Sequence, residues 1–97
     1  MSSGGSYSTV QASRISGLTY RQIDYMVRTR LVEASLLSAA GSGTQRRWSG
    51  ADVDRLVLIA KLLKAGVSME RIRRDRNPEK TAAAVVKALE PYIAEVV

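Results

Sequence analysis

Val53, Leu56, Val57, Ala60 and Leu63 recur at spacings of three and four, and Leu58, Ile59 and Leu62 widen the stripe they form. Apolar residues at that period share one face of an α-helix. A face this broad makes the segment the structural spine of the chain. Its ends are marked as well. Ser49 with Asp52 three residues later is a capping-box-like start, and Gly66 supplies the stop. A chain of 97 residues holds one domain, so the remaining segments belong with this helix.

Two shorter helices are predicted upstream. Thr9 caps one over Val10–Ser16, which Gly17 ends, and Thr19 caps a second over Tyr20–Arg28. At about 100° per residue, Arg21, Asp24, Tyr25 and Arg28 fall on one face of the second, with Tyr20, Ile23, Met26 and Val27 on the other. Two short helices joined by Gly17-Leu18-Thr19, the second with an apolar back and a partly basic front, form a helix-turn-helix pattern. The same spacing also describes an ordinary solvated helix face.

Between Arg30 and Ser49 the helical period disappears. Leu31, Val32 and Leu36 suggest a short strand and Gln45–Trp48 a second, with the Gly/Ala/Ser-rich Ser38–Thr44 as a hairpin tip. Arg46 and Arg47 follow that tip, where a wing could lie along a phosphate backbone; on these residues alone a plain loop with two solvated arginines is the preferred reading. Beyond the spine, Ser68 caps a helix from Met69 to about Arg74 with Ile72 inward, and its arginines are read as a solvated face. Asn77-Pro78 restarts the chain as a helix. Ala82, Val85, Val86, Leu89 and Ile93 recur along it, and Pro91 is expected to end or kink it. That stripe either completes the core or pairs with a second copy, and self-association is the preferred reading.

Charge narrows the partners. Fifteen Lys and Arg against nine Asp and Glu give a net charge of +6. Residues 1–50 carry six basic and two acidic side chains, residues 51–77 seven and four, and residues 78–97 two and three. The excess therefore sits in the first three-quarters of the chain, which points first to nucleic acid and second to another anionic surface. With no Cys and no His there is no disulfide, thiolate nucleophile, Cys/His metal site or imidazole base. No catalytic residue, metal ligand or cofactor is expected, and the chain is read as a non-enzyme. It shows no signal peptide and no apolar run of about 18 residues, so the expected location is the cytoplasm, on the nucleoid.

Three segments, SRISGLTYRQIDYMVRTRLV, GSGTQRRWSGADVDRL and LIAKLLKAGVSMERIR, together resemble the winged helix-turn-helix domain of the MerR family of transcriptional regulators, in a variant common in actinobacteria. The resemblance covers residues 9–73, about two-thirds of the chain. It implies a mainly α fold with a small β-hairpin wing, a winged helix-turn-helix over 9–76, with a C-terminal helix over 77–97 and a flexible tail over 1–8. It implies double-stranded DNA as partner, with the second helix in the major groove and the wing on the adjacent backbone. Thr19, Tyr20, Arg21, Gln22, Tyr25 and Arg28 match the family's recognition helix, and Arg46 and Arg47 its wing arginines. Arg21 suits guanine and Gln22 adenine, while Tyr25 and Arg28 suit phosphates. Trp48 stands where the family has an aromatic, usually Tyr, and is read as a packing anchor under the wing.

The chain departs from the family at two positions and at its end. Asp24 replaces an Arg and is expected to pair with Arg21 or Arg28 or to accept from cytosine. Arg30 replaces a Gly before Leu31, which alters the turn into the wing or adds a basic contact. The family's long coiled-coil helix and effector domain are not expected in the residues after Asn77, and no small-molecule ligand is expected. The implied function is a sequence-specific regulator, acting as a homodimer or cooperative oligomer on DNA. An excisionase-like or architectural factor of a mobile element, and a protein-interaction adaptor with degenerate DNA binding, are the alternatives.

Overall fold

The computed structural model describes the backbone of residues 6–36 and 46–96 and the side chains of residues 6–36 and 46–89. In chain order the elements are β1 (Ser6–Tyr7), α1 (Thr9–Ser16), α2 (Tyr20–Arg28), β2 (Trp48–Ser49), α3 (Gly50–Lys64), α4 (Met69–Asp75) and α5 (Pro78–Val96). The fold is mainly helical with a small two-stranded antiparallel pairing, a winged helix-turn-helix.

Local chemistry sets most of these boundaries. Ser8, Thr19 and Ser49 each close a reciprocal capping box, with Gln11, Gln22 and Asp52 in the third helical position. The first helix thus begins one residue earlier than its Thr9 suggests, because Ser8 takes the cap. Ser68 caps α4, and the Asn77 side-chain oxygen accepts the backbone N–H groups of Glu79 and Lys80 at the start of α5. Pro91 does not end α5, which continues to Val96; proline removes one amide from the ladder, and the helix runs on without it.

One strand expectation is corrected and one pairing is added. Residues 31–34 form no strand, and β2 pairs with β1, Ser6 opposite Ser49 and Tyr7 opposite Trp48. Ser6 and Tyr7 are therefore structured, although they fall within the expected tail; residues 1–5 and the expected hairpin tip Ser38–Thr44 lie outside the described residues. The link from the 31–36 segment to the returning chain is a bond from the Leu36 N–H to the Arg47 carbonyl. Leu31 cannot extend because it closes the end of α2: the Arg30 N–H bonds to Val27 and the Leu31 N–H to Met26, a Schellman closure. The same closure ends α3, where Gly66 and Val67 bond to Leu63 and Leu62.

At α3 the left-handed position belongs to Gly66, with φ 99°, whereas at α2 it belongs to Arg30, with φ 63°. An L side chain is disfavoured there by roughly 1–2 kcal/mol. Arg30→Gly is expected to raise stability by about 0.5–1 kcal/mol, the gain being reduced by glycine's greater freedom when unfolded. Chemical denaturation checks it.

The core lies between α1, α2, α3 and the 31–34 segment. Ile23, Met26, Trp48, Leu56, Ile59 and Ile72 are fully buried, and the expected spine supplies Val53, Leu56, Ile59 and Leu62. The Trp48 indole N–H donates to the Thr9 hydroxyl at 2.9 Å. From α5, Pro78 and Thr81 are buried, and Ala82 packs on the core's margin. Val86 and Leu89 are exposed, at 56% and 47%. Among the described residues no helix is long and apolar enough to cross a membrane.

Asp52 ties the 31–36 segment to α3. Its Oδ2 accepts from the Ser35 N–H at 2.8 Å, the Ser35 hydroxyl at 2.6 Å and the Ser49 N–H at 2.8 Å. Burial alone would raise its pKa, but the hydrogen bonds from Ser35 and Ser49 together outweigh it and hold the carboxyl below its ordinary value. A folded-state pKa below the unfolded one stabilises at pH above the unfolded value, and the contribution is lost as pH falls through the folded value. Wild type is therefore expected to lose this contribution on acidification below about pH 4. Asp52→Asn is expected to be less stable at neutral pH by about 1–2 kcal/mol and to lack that acid component. Thermal melts across pH check both.

Candidate nucleic-acid interface

The turn that presents α2 is built locally. Gly17, with φ 82°, ends α1 by bonding its N–H to the Ser13 carbonyl. The Ser13 hydroxyl donates to the Leu18 carbonyl, and Leu18 is buried. Ile23 and Met26 anchor the back of α2 in the core, which fixes its front outward. Arg21, Tyr25 and Arg28 are exposed on that front, and Asp24 is half-buried among them. Tyr20, expected on the apolar back, is 55% exposed. It occupies the first helical position, where the side chain leans toward the N-terminus and past the core.

Each remaining candidate residue has a definite partner or none. The Arg21 side chain makes no hydrogen bond or ion pair among the described residues. Gln22 is committed to the capping box: its Oε1 accepts the Thr19 N–H at 2.8 Å, and the Thr19 hydroxyl accepts the Gln22 N–H at 3.0 Å. The cap bond fixes the orientation of the Gln22 amide and occupies one of the two acceptor positions on its oxygen. Asp24 pairs with Arg28, not Arg21, accepting from its Nε at 3.0 Å and its Nη2 at 2.6 Å. The Arg46 guanidinium approaches the other carboxylate oxygen to 3.7 Å. Arg47 is bound to β1, donating from Nε to the Ser6 hydroxyl at 2.9 Å and from Nη2 to the Ser6 carbonyl at 3.2 Å. Trp48 takes the packing role expected of it and is wholly buried.

A further basic surface adjoins this front. Arg73 of α4 donates to the Tyr25 hydroxyl at 3.0 Å, and its guanidinium lies 5.7 Å from the centre of that ring. Tyr25 thus joins α2 to a groove of about 570 Å3 lined by Arg30, Arg73, Arg74, Arg76 and a single acid, Glu70. The guanidinium groups of Arg30, Arg74 and Arg76 have no hydrogen-bond or ion-pair partner among the described residues. Among the described residues, the two non-glycine residues with positive φ, Arg30 and Arg76, both line this groove. Arg73, Arg74 and Arg76 are exposed, as the solvated-face reading of α4 expects, and what their sequence pattern does not show is the groove they form with Arg30.

Residues 7–74 match the family model described as MerR HTH family regulatory protein. The chain belongs to that family. The matched span runs from β1 through α4, so it takes in the helix-turn-helix, the wing root and the arginine groove. Among curated proteins, the chain is 48% identical over 67 residues to the uncharacterized HTH-type transcriptional regulators Rv1830 of Mycobacterium tuberculosis and Mb1861 of Mycobacterium bovis. The alignment covers 69% of this chain and 30% of each relative, so this MerR-family chain spans under a third of the length of the relatives it matches.

Proposed function

We propose that this chain is a sequence-specific double-stranded DNA-binding transcriptional regulator, placing α2 in the major groove and the wing on the phosphate backbone. The observation that carries this reading is the outward front of α2 within a matched helix-turn-helix, with a partner-free Arg21 at its start and cationic groups beside it. Arg21 donates two hydrogen bonds to a guanine edge. Thr19, Tyr20 and Gln22, at the leading end of α2, complete base and sugar contacts. Tyr25 and Arg28 set register on phosphates, as do Arg46 and Arg47 once they exchange their internal partners for the backbone. Arg30, Arg74 and Arg76 extend that backbone contact along the groove.

The transcriptional role is supported by the relatives' names, and the family's character as regulators agrees with a non-enzymatic, cytoplasmic protein acting on the chromosome. Val86 and Leu89, left exposed on α5, support self-association as a homodimer or as a cooperative oligomer on DNA. Selection of bound sequences from a randomised duplex library tests the reading. An enriched motif is the expected result, inverted half-sites indicating a symmetric dimer and direct repeats a head-to-tail arrangement. Bulk DNA binding without enrichment would replace it with an architectural role, and absence of any binding with a protein-interaction adaptor.

A further inference from the structure

Asp24 stands where phosphate is expected, on the same face of α2 as Arg21, Tyr25 and Arg28. A carboxylate there opposes the backbone it must approach. The structure shows how it is accommodated. One oxygen accepts two N–H groups from Arg28, at 2.6 and 3.0 Å, and the other faces the Arg46 guanidinium at 3.7 Å. Arg28 is four residues along the same helix, but Arg46 reaches Asp24 from the root of the wing. The Asp24 and Arg46 side chains are only 26% and 19% exposed, against 76% for Arg28. A single acid therefore holds one cation of the recognition helix and one of the wing.

We propose that Asp24 is a specificity-determining residue that suppresses sequence-independent binding by holding Arg28 and Arg46 away from phosphate. This inference rests on the DNA-binding reading above. The helical Asp24–Arg28 pair, with Arg28 largely exposed, contributes little to folding, so stability does not account for that half of the arrangement. Its effect on DNA binding is larger. Sequence-independent affinity comes from cations displacing counterions along the backbone. Two arginines that share the single negative charge of Asp24 contribute less of that displacement, and the carboxylate repels the phosphate that would replace it. At a favoured sequence the balance changes. Asp24 can accept from the amino group of a cytosine in the major groove, which leaves Arg28 and Arg46 to turn to the backbone. Tight binding is then confined to duplexes that supply the donor.

The test compares wild type, Asp24→Asn and Asp24→Glu on a random-sequence duplex and on the duplex enriched by library selection, by fluorescence anisotropy from about 50 to 200 mM salt. Asp24→Asn is expected to bind the random duplex about tenfold tighter, with a salt dependence steeper by about one to two units as Arg28 and Arg46 gain full phosphate contacts. The enriched duplex gains less, so the preference between the two narrows. Asp24→Glu keeps the charge and is expected to keep the wild-type preference. Unchanged or weaker binding of Asp24→Asn to random DNA, or Asp24→Glu behaving like Asp24→Asn, overturns the inference. Wild type failing to bind any duplex instead refutes the DNA-binding reading itself.

Discussion

Trp48→Ala melts at least about 12 °C below the wild type, the consequence of losing roughly 3–5 kcal/mol from a domain of this size. Trp48 is wholly buried, and its indole N–H bonds to Thr9, the first residue of α1. It also sits in β2, directly opposite Tyr7, and immediately precedes the Ser49 cap of α3. Truncation thus opens a cavity among α1, β2 and α3 and removes the donor to the buried Thr9 hydroxyl. Against a total stability of about 5–15 kcal/mol, a loss of that size leaves a protein on the edge of folding. Trp48→Phe weighs the two effects: it keeps most of the apolar bulk and forfeits the indole bond with a smaller loss of packing, for about 1–3 kcal/mol. Equal losses in the two variants would show that the hydrogen bond, not the packing, governs this position. Calorimetry or denaturant titration decides between them.

Replacing Arg30, Arg74 and Arg76 together by Gln is expected to weaken binding to every duplex alike. These three guanidinium groups have no internal partner to lose, so their removal acts on DNA affinity with little change in the core. Each phosphate contact contributes about 0.9 to the slope of log affinity against log salt. Three lost contacts flatten that slope by about 2.7. Between 50 and 200 mM salt the wild type then loses about 40-fold more affinity than the variant does. Arg21→Ala behaves differently: it relaxes preference at one base pair and leaves the slope nearly unchanged. A triple variant with the wild-type salt slope would remove the groove from the interface. The measurement is binding affinity across a salt series on both selected and random duplexes.

What the sequence made legible is what short-range chemistry decides. The caps at Thr19, Ser49 and Ser68, the stop at Gly66 and the restart at Asn77-Pro78 each depend on residues within one turn of the chain, and each stands where it was read. The front of α2 was legible for the same reason, since Ile23 and Met26 fix its back. What was hidden depends on residues far apart. Ser6 and Tyr7 have no apolar alternation to mark a strand, and they become one because Trp48 and Ser49 lie beside them. Nothing along the chain joins Arg46 to Asp24 or Arg73 to Tyr25, contacts made across 22 and 48 positions. The Arg30 departure was visible, but its backbone consequence was not, because a Schellman closure normally takes glycine and a strand reading of Leu31 left no place for one.

The pairing of Ser6–Tyr7 with Trp48–Ser49 has a consequence for the order of assembly. It closes a loop of about 40 residues, whose ordering entropy must be met before the sheet returns any contact energy. The loop contains α1 and α2, each with its own reciprocal cap and each able to form from neighbouring residues alone. Local contacts form faster than distant ones. The outward front of α2 is therefore expected to be shaped early, and the pairing at the root of the wing, beside Arg46 and Arg47, to be seated last.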